Sequence, residues 1–272
     1  ESHDGSGPVS LRTGHMSLWI GTAPVGSGAP AFLVAELSAN HGGSLARALE
    51  TVHAAKEAGA DAIKLQTYTA DTLTLRSDRP EFTITGGPWA GRTLHDLYAE
   101  AHTPWAWHER LFAEAEGLGL PIFSTPFDAS AVALLEALGA PAHKVASFEL
   151  VDDALLRHVA ATGKPVILST GMASRAELDH AVAVLRAGGT TDLILLRCTS
   201  SYPAPDAAMH LRSIPALAAA YGVPVGLSDH SMGTTAPVVA VTLGACLIEK
   251  HFTLSRAAGG PRAGCSRARS GA

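Results

Sequence analysis

The chain has 272 residues, of which 47% are hydrophobic and 17% charged, and its formal net charge is −5. So low a charged fraction excludes global disorder, and the acidic balance argues against a general nucleic-acid binder, which would carry a basic excess. No stretch approaches the roughly 18 uninterrupted apolar residues of a membrane span. Three cysteines (Cys198, Cys246 and Cys265) are too few for a disulfide framework, and nothing at the N-terminus reads as a signal segment. Both features point to a cytoplasmic protein.

Residues 1–30 are rich in Gly, Ser and Pro and read as a loose leader, with a short β-ribbon around residues 18–20. From residue 31 short apolar runs alternate with helical stretches. The runs are 32–37, 62–66, 121–125, 142–146, 165–170, 193–198, 224–228 and 246–252. Their near-continuous hydrophobicity suits strands buried on both faces. A helix over 44–58 opens at a Ser44 cap and stops at Gly59. The segment 67–102 is long enough to be a functional loop over the end of the sheet. Thr103 and Pro104 read as the cap and first residue of the next helix, which ends near 117–119. Further helices are expected over 128–138, 152–160, 174–187, 211–221 and 234–243, the fourth of the seven at 152–160. The one over 174–187 opens on a Ser174-x-x-Glu177 capping box.

Eight strands joined by crossover helices imply a closed (β/α)8 TIM barrel over residues 31–254. An open doubly wound sheet is the runner-up, but no Gly-x-Gly-x-x-Gly opens a helix after any strand. The barrel's last helix is missing from the pattern, and residues 255–272 read as an atypical, disordered tail. Losing that helix would uncover apolar surface on the first and seventh helices.

In such a barrel the strand C-termini share one mouth, and they are unusually polar here. Glu36, Lys64, Gln66, Ser124, Thr125, Lys144, Ser147, Glu149, Ser169, Thr170, Ser228, Asp229, His230, Glu249 and His251 all fall at or just past strand ends. Lys64 and Gln66 alternate and point to one side, whereas Lys250 faces away from Glu249 and His251. Taken singly, each Ser or Thr reads as a turn former, each Lys as a snorkelling surface cation, and Glu36 or Glu249 as a structural ion. Together, two lysines and several hydroxyls at one mouth make an anion site. His230 and His251 are two of 13 histidines, so the pair reads either as chance or as ligands of a divalent metal with open positions. Cys198 and Cys246 read as small buried hydrophobes.

Long motifs along this frame resemble the sialic acid synthase family. They include Val34-Ala35-Glu36 with Asn40-His41-Gly42-Gly43, Ala62-Ile63-Lys64-Leu65-Gln66-Thr67 and Ser124-Thr125-Pro126-Phe127. They continue with Lys144-Val145-Ala146-Ser147-Phe148-Glu149, Leu168-Ser169-Thr170-Gly171-Met172, Cys198-Thr199-Ser200-Ser201-Tyr202-Pro203, Gly226-Leu227-Ser228-Asp229-His230 and Ile248-Glu249-Lys250-His251-Phe252-Thr253. The resemblance covers about residues 30–261, and Asp96-Leu97-Tyr98 with Thr103-Pro104-Trp105 is most similar to the pseudaminic acid synthase branch.

The resemblance implies condensation of phosphoenolpyruvate with an amino-sugar aldehyde, to a nine-carbon 2-keto-3-deoxy acid and phosphate. N-acetylneuraminate or legionaminate synthesis is the alternative within the family, and an inactive, ligand-binding barrel the alternative outside it. It also implies that Lys64, Thr125, Lys144, Ser147, Ser169 and Ser228 hold phosphoenolpyruvate, and that Gln66 and Tyr202 hold the sugar. His230 and His251 would hold Mn2+, with Mg2+ or Co2+ as alternatives, and Glu36 and Glu149 are the acid/base candidates. A homodimer is the family's implied assembly. Three departures stand out. Ser200 replaces an Asn of some members, Leu37-Ser38-Ala39 replaces a Gly-containing run, and Arg262 stands where the family's sugar-binding Asp is expected. The reading expects no C-terminal antifreeze-like domain, and attributes the change of composition at Arg262 to a truncation or frameshift.

Overall fold

Strands whose two faces are both apolar need cover on both, and parallel crossovers supply it with helices. The computed structural model describes residues 17–86, 89–255 and the backbone of 267–268. An antiparallel hairpin, β1 (Ser17–Ile20) and β2 (Ala23–Gly26), precedes the barrel. The barrel strands are β3 (Phe32–Glu36), β4 (Ala62–Thr67), β5 (Ile122–Pro126), β6 (His143–Val145), β7 (Val166–Ser169), β8 (Leu193–Cys198), β9 (Val225–Asp229) and β10 (Leu247–Thr253). Each pairs in parallel with the next in sequence, and β10 pairs with both β9 and β3, which closes the barrel. The expected TIM-barrel architecture is the one observed. β9 and β10 approach so closely that a Cβ on Gly226 would lie 2.4 Å from the Leu247 carbonyl oxygen, so this position must be glycine.

Four of the crossover helices begin at a side-chain cap. Ser44 opens α1 (Leu45–Glu57). Two short helices, α2 (Ala70–Leu73) and α3 (Leu94–Ala101), lie in the long segment before α4 (Trp105–Gly117). Asp128 opens α5 (Ala129–Ala137), Asp152 opens α6 (Asp153–Ala160), and the Ser174–Glu177 box opens α7 (Arg175–Ala187). The set ends with α8 (Ser213–Tyr221) and α9 (Thr235–Thr242), which, like α4, have no side-chain cap. Thr103 does not cap α4. The helix starts one residue later than expected, with Pro104 at the cap position, and the buried Thr103 hydroxyl makes no hydrogen bond.

The leader is not loose where it is described. Leu18, Ile20 and Val25 are buried and pack with Phe32, Val34, Phe123, Ile167, Ile194 and Leu247 in one apolar cluster. The hairpin plugs the N-terminal end of the barrel because its apolar side chains meet the interior residues of the strands. Residues 1–16 of the expected leader lie outside the described residues. So do Arg262 and most of the tail. Within that tail, expected to be disordered, β11 (Arg267–Ala268) pairs in parallel with Phe252 and Thr253; backbone pairing of this kind needs no apolar period.

Two further clusters lie between barrel and helices, one under α1, α4 and α5 and one under α6 to α9. Val238, Val239 and Val241 of α9 are 65%, 40% and 43% exposed, so apolar surface is uncovered on the seventh crossover helix, though no large hydrophobic of α1 is exposed. Among the described residues no helix is long and apolar enough to cross a membrane.

Candidate active site

Parallel strands deliver their C-terminal residues to one end, so alternate side chains of every barrel strand converge there. At that end the structure has a narrow pocket of about 70 Å³. Glu36, Lys64, Gln66, Thr125, Lys144, Ser147, Ser169, Tyr202, Ser228, His230 and His251 all line it. Of the residues given a substrate, metal or acid/base role from the sequence, Glu149 alone lies elsewhere, while Ser124, Thr170 and Asp229, also expected at the mouth, do not line it. Lys64 Nζ donates to Thr125 Oγ1 at 3.1 Å, and Lys144 Nζ to Ser169 Oγ at 2.8 Å. Ser147 Oγ accepts the Gly171 N–H at 3.0 Å. A Cβ on Gly171 would lie 2.8 Å from that oxygen and 2.6 Å from Ser200 Oγ, so only glycine lets the two hydroxyls stand this close.

The floor of the pocket is a buried charge network. Lys64 is ion-paired with Glu36 and lies 3.6 Å from Glu249, all three being at most 6% exposed. Burial pushes the Glu36 carboxyl up to about 7 against the pull of Lys64, and the negative charge of Glu249 adds to the rise. Burial also opposes the charge on Glu249, but Lys64 and Lys144 overcome it and hold that carboxyl below the usual range. Lys64 stays above the usual ammonium range because the two carboxylates outweigh its burial. Lys144 goes the other way, lowered chiefly by burial and only partly supported by Glu249. One carboxylate is thus held ionised while its neighbour is poised near neutral pH.

His230 and His251 face each other at the rim, with ring centroids 5.4 Å apart and planes 28° from parallel. The Tyr202 ring lies 4.1 Å from His230 and 5.9 Å from His251. His230 Nδ1 lies 2.9 Å from the Thr199 carbonyl oxygen. A carbonyl only accepts, so Nδ1 carries the proton and Nε2 is left as the acceptor. Among the described residues no group of three or more His, Cys, Asp or Glu is placed to hold a metal. Two imidazoles, one with its tautomer set, fit a divalent ion that completes its shell with water and substrate.

A wider chamber of about 460 Å³ adjoins the pocket and shares Gln66, Phe127, Ala146, Phe148 and Tyr202 with it. Glu149 lies here, in the turn after β6, with its pKa raised by burial and Oε2 without a hydrogen-bond partner. Tyr68, Leu73, Trp89, Leu97, Tyr98 and Ala101 supply much of the remaining wall. All six belong to the segment expected to cover the mouth.

Glu249, Cys198 and Ser200 also line the narrow pocket. Strand alternation with His251 already placed Glu249 on the right face. Cys198 is buried, as expected, but its Sγ lies in the pocket 4.0 Å from His230 Nδ1 rather than in the apolar core. Asn40 ties the loop to β10, and His41 serves the loop itself. Asn40 Nδ2 donates to the Phe252 carbonyl at 2.8 Å, and His41 Nδ1 accepts the Gly43 N–H at 3.1 Å. Burial lowers the His41 pKa to about 4.

A family model described as the NeuB family matches residues 51–270. The pseudaminic acid synthase of Campylobacter jejuni is 48% identical over 225 residues, covering 83% of this chain and 66% of that protein. The N,N'-diacetyllegionaminic acid synthase of Legionella pneumophila is 37% identical over 246 residues, or 89% of this chain and 69% of that protein. Among solved structures, the N-acetylneuraminic acid synthetase of Leptospira borgpetersenii, in complex with citrate, superposes with a TM-score of 0.84 at 32% identity. That match covers 94% of this chain and 84% of the other. The chain spans just under two thirds of the Campylobacter protein's length.

Proposed function

The chain belongs to the NeuB family, and from that premise we propose that it condenses phosphoenolpyruvate with a six-carbon amino-sugar aldehyde. The products are a nine-carbon 2-keto-3-deoxy acid and inorganic phosphate. The observation that carries the reading is the junction of a narrow pocket holding two lysines with a wide, largely apolar chamber. The first suits a small dianionic substrate and the second a sugar with apolar substituents.

Lys64 and Lys144 offer ammonium donors to the carboxylate and phosphate, and Thr125, Ser147, Ser169 and Ser228 offer hydroxyls. Gln66 and Tyr202, at the junction, orient the sugar with its aldehyde toward C3 of phosphoenolpyruvate. A divalent metal on His230 and His251, Mn2+ before Mg2+ or Co2+, supplies Lewis-acid polarisation of the aldehyde when bound. Carbon–carbon bond formation puts negative charge on the aldehyde oxygen. Glu149, whose pKa burial raises, is the acid that gives that oxygen a proton. Water then adds at C2. Glu36, poised near neutral pH by its surroundings, takes one proton of the water, and the tetrahedral adduct expels phosphate by C–O cleavage as the C2 hydroxyl passes its proton to the departing phosphate oxygen and becomes the keto oxygen. Glu249 stays ionised and holds Lys64 in place.

The finer reading is pseudaminic acid synthesis. It is supported by the higher identity to the relative of that name than to the legionaminic acid synthase. The test measures phosphate release from phosphoenolpyruvate with a panel of amino-sugar aldehydes, with Mn2+ or with chelator, and weighs the product by mass spectrometry. Phosphate release should need both sugar and metal, and His251→Ala should lower it by at least about 100-fold. An N-acetylneuraminate or legionaminate product would move the assignment within the family. Turnover that survives both chelation and His251→Ala would overturn the metal assignment, and binding without turnover would favour the inactive barrel.

A further inference from the structure

Neighbours along a strand face opposite ways, so Lys250 turns its back on the pocket that Glu249 and His251 line. Its side chain is only 11% exposed. Lys250 Nζ donates to Asp229 Oδ2 at 2.5 Å and to the Ser231 carbonyl at 2.6 Å. Asp229 Oδ1 in turn accepts the Ser231 N–H at 2.9 Å. Asp229 is wholly buried and is also the register partner of Lys250 across β9 and β10.

The ladder between these strands ends at that pair. His230 is the next residue, beyond the strand hydrogen bonds, and needs other anchors. Its carbonyl accepts the Ala204 N–H at 2.9 Å, and its ring is tied to Thr199. The Lys250 clamp grips the residues immediately before and after it. The same lysine directly precedes His251. One side chain therefore fixes the backbone at both histidines from behind, without touching the pocket.

We propose that Lys250 is the positioning residue of the two-histidine rim, setting its affinity for a divalent cation. This rests on the reading of His230 and His251 as metal ligands. Removing Lys250 leaves the Asp229 carboxylate buried without its counter-charge, and the turn that carries His230 loosens. Partners behind metal ligands affect affinity by about 10–100-fold.

The experiment is Mn2+ titration of the metal-free protein, followed by the electron paramagnetic resonance of free Mn2+. Inorganic phosphate binding is measured in parallel as a readout of the anion pocket. Lys250→Met should weaken Mn2+ binding about 10–100-fold while phosphate binding stays within about threefold, and Lys250→Arg should recover most of the loss. Lys250→Gln carries the same reading if the methionine variant does not fold. A folded Lys250→Met or Lys250→Gln protein that binds Mn2+ like the wild type overturns the proposal, as does equal loss of Mn2+ and phosphate binding. Wild type and His230→Ala binding Mn2+ equally would defeat the metal assignment itself, and this inference with it.

Discussion

The closed end of the barrel and its open mouth are made by the same eight strands, yet they obey opposite rules. At the closed end Ile20, Val25, Phe32 and Leu247 form an apolar plug together with Cys246, whose thiol burial pushes up to about 12. At the mouth Glu36, Lys64, Lys144 and Glu249 are buried almost as deeply, and each costs desolvation that only its neighbours offset. One end gains stability from burial. The other gives up some of that gain to hold charges in reach of a ligand. The difference shows how this fold separates the two tasks along the strand rather than between domains.

The contrast breaks most visibly at Lys64. Lys64→Met leaves Glu36 and Glu249 with Lys144 as their remaining cation and without their ion-pair partner, so turnover should fall by more than about 100-fold and stability by about 3–5 kcal/mol. Steady-state kinetics and urea unfolding above pH 8 read both; a fully stable, active variant would mean that the network is ornamental. At the other end, Ile20→Ala should cost about 2–5 kcal/mol, since a fully buried side chain leaves a cavity. Its kcat should be that of the wild type at a temperature where both are folded. A kcat change as large as that of Lys64→Met would erase the separation of the two ends.

A pH comparison sharpens the same point. Glu36 has its folded pKa raised from 4.5 to about 7, so between those values the folded state holds more proton than the unfolded one. Its contribution is therefore present at pH 4.5 and lost as pH rises through about 7. Wild-type stability measured against Glu36→Gln should fall over that window and level off above it; a constant difference would place the carboxyl in water. The smallest expected effect is at Ser38, in the loop after β3, which holds a backbone φ of +48° that glycine tolerates better. Ser38→Gly should raise stability by about 1 kcal/mol or less in thermal unfolding. Position 38 falls in the run where the family resemblance expects a Gly.

Much of this was legible in the chain itself. Lys64 and Gln66 share a side because strands alternate, and both line the narrow pocket. The caps at Ser44, Asp128, Asp152 and Ser174 sit where short polar side chains precede a helical period. Thr103 failed the same rule, because a local signal cannot tell which of two adjacent residues takes the extended cap conformation. Glu149 is close in sequence to Ser147, but the turn after β6 sends it to the second chamber.

Periodicity and punctuation thus determined the eight strands, their order and the face on which each polar residue lies, because those depend only on neighbours in the chain. Tertiary structure decided the rest: that the residue 17–26 hairpin seals the far end, that Cys198 Sγ borders His230, and that Glu36 rather than Glu249 is poised near neutrality. Contacts between distant segments and the shared electric field of four buried charges exist only once the barrel closes.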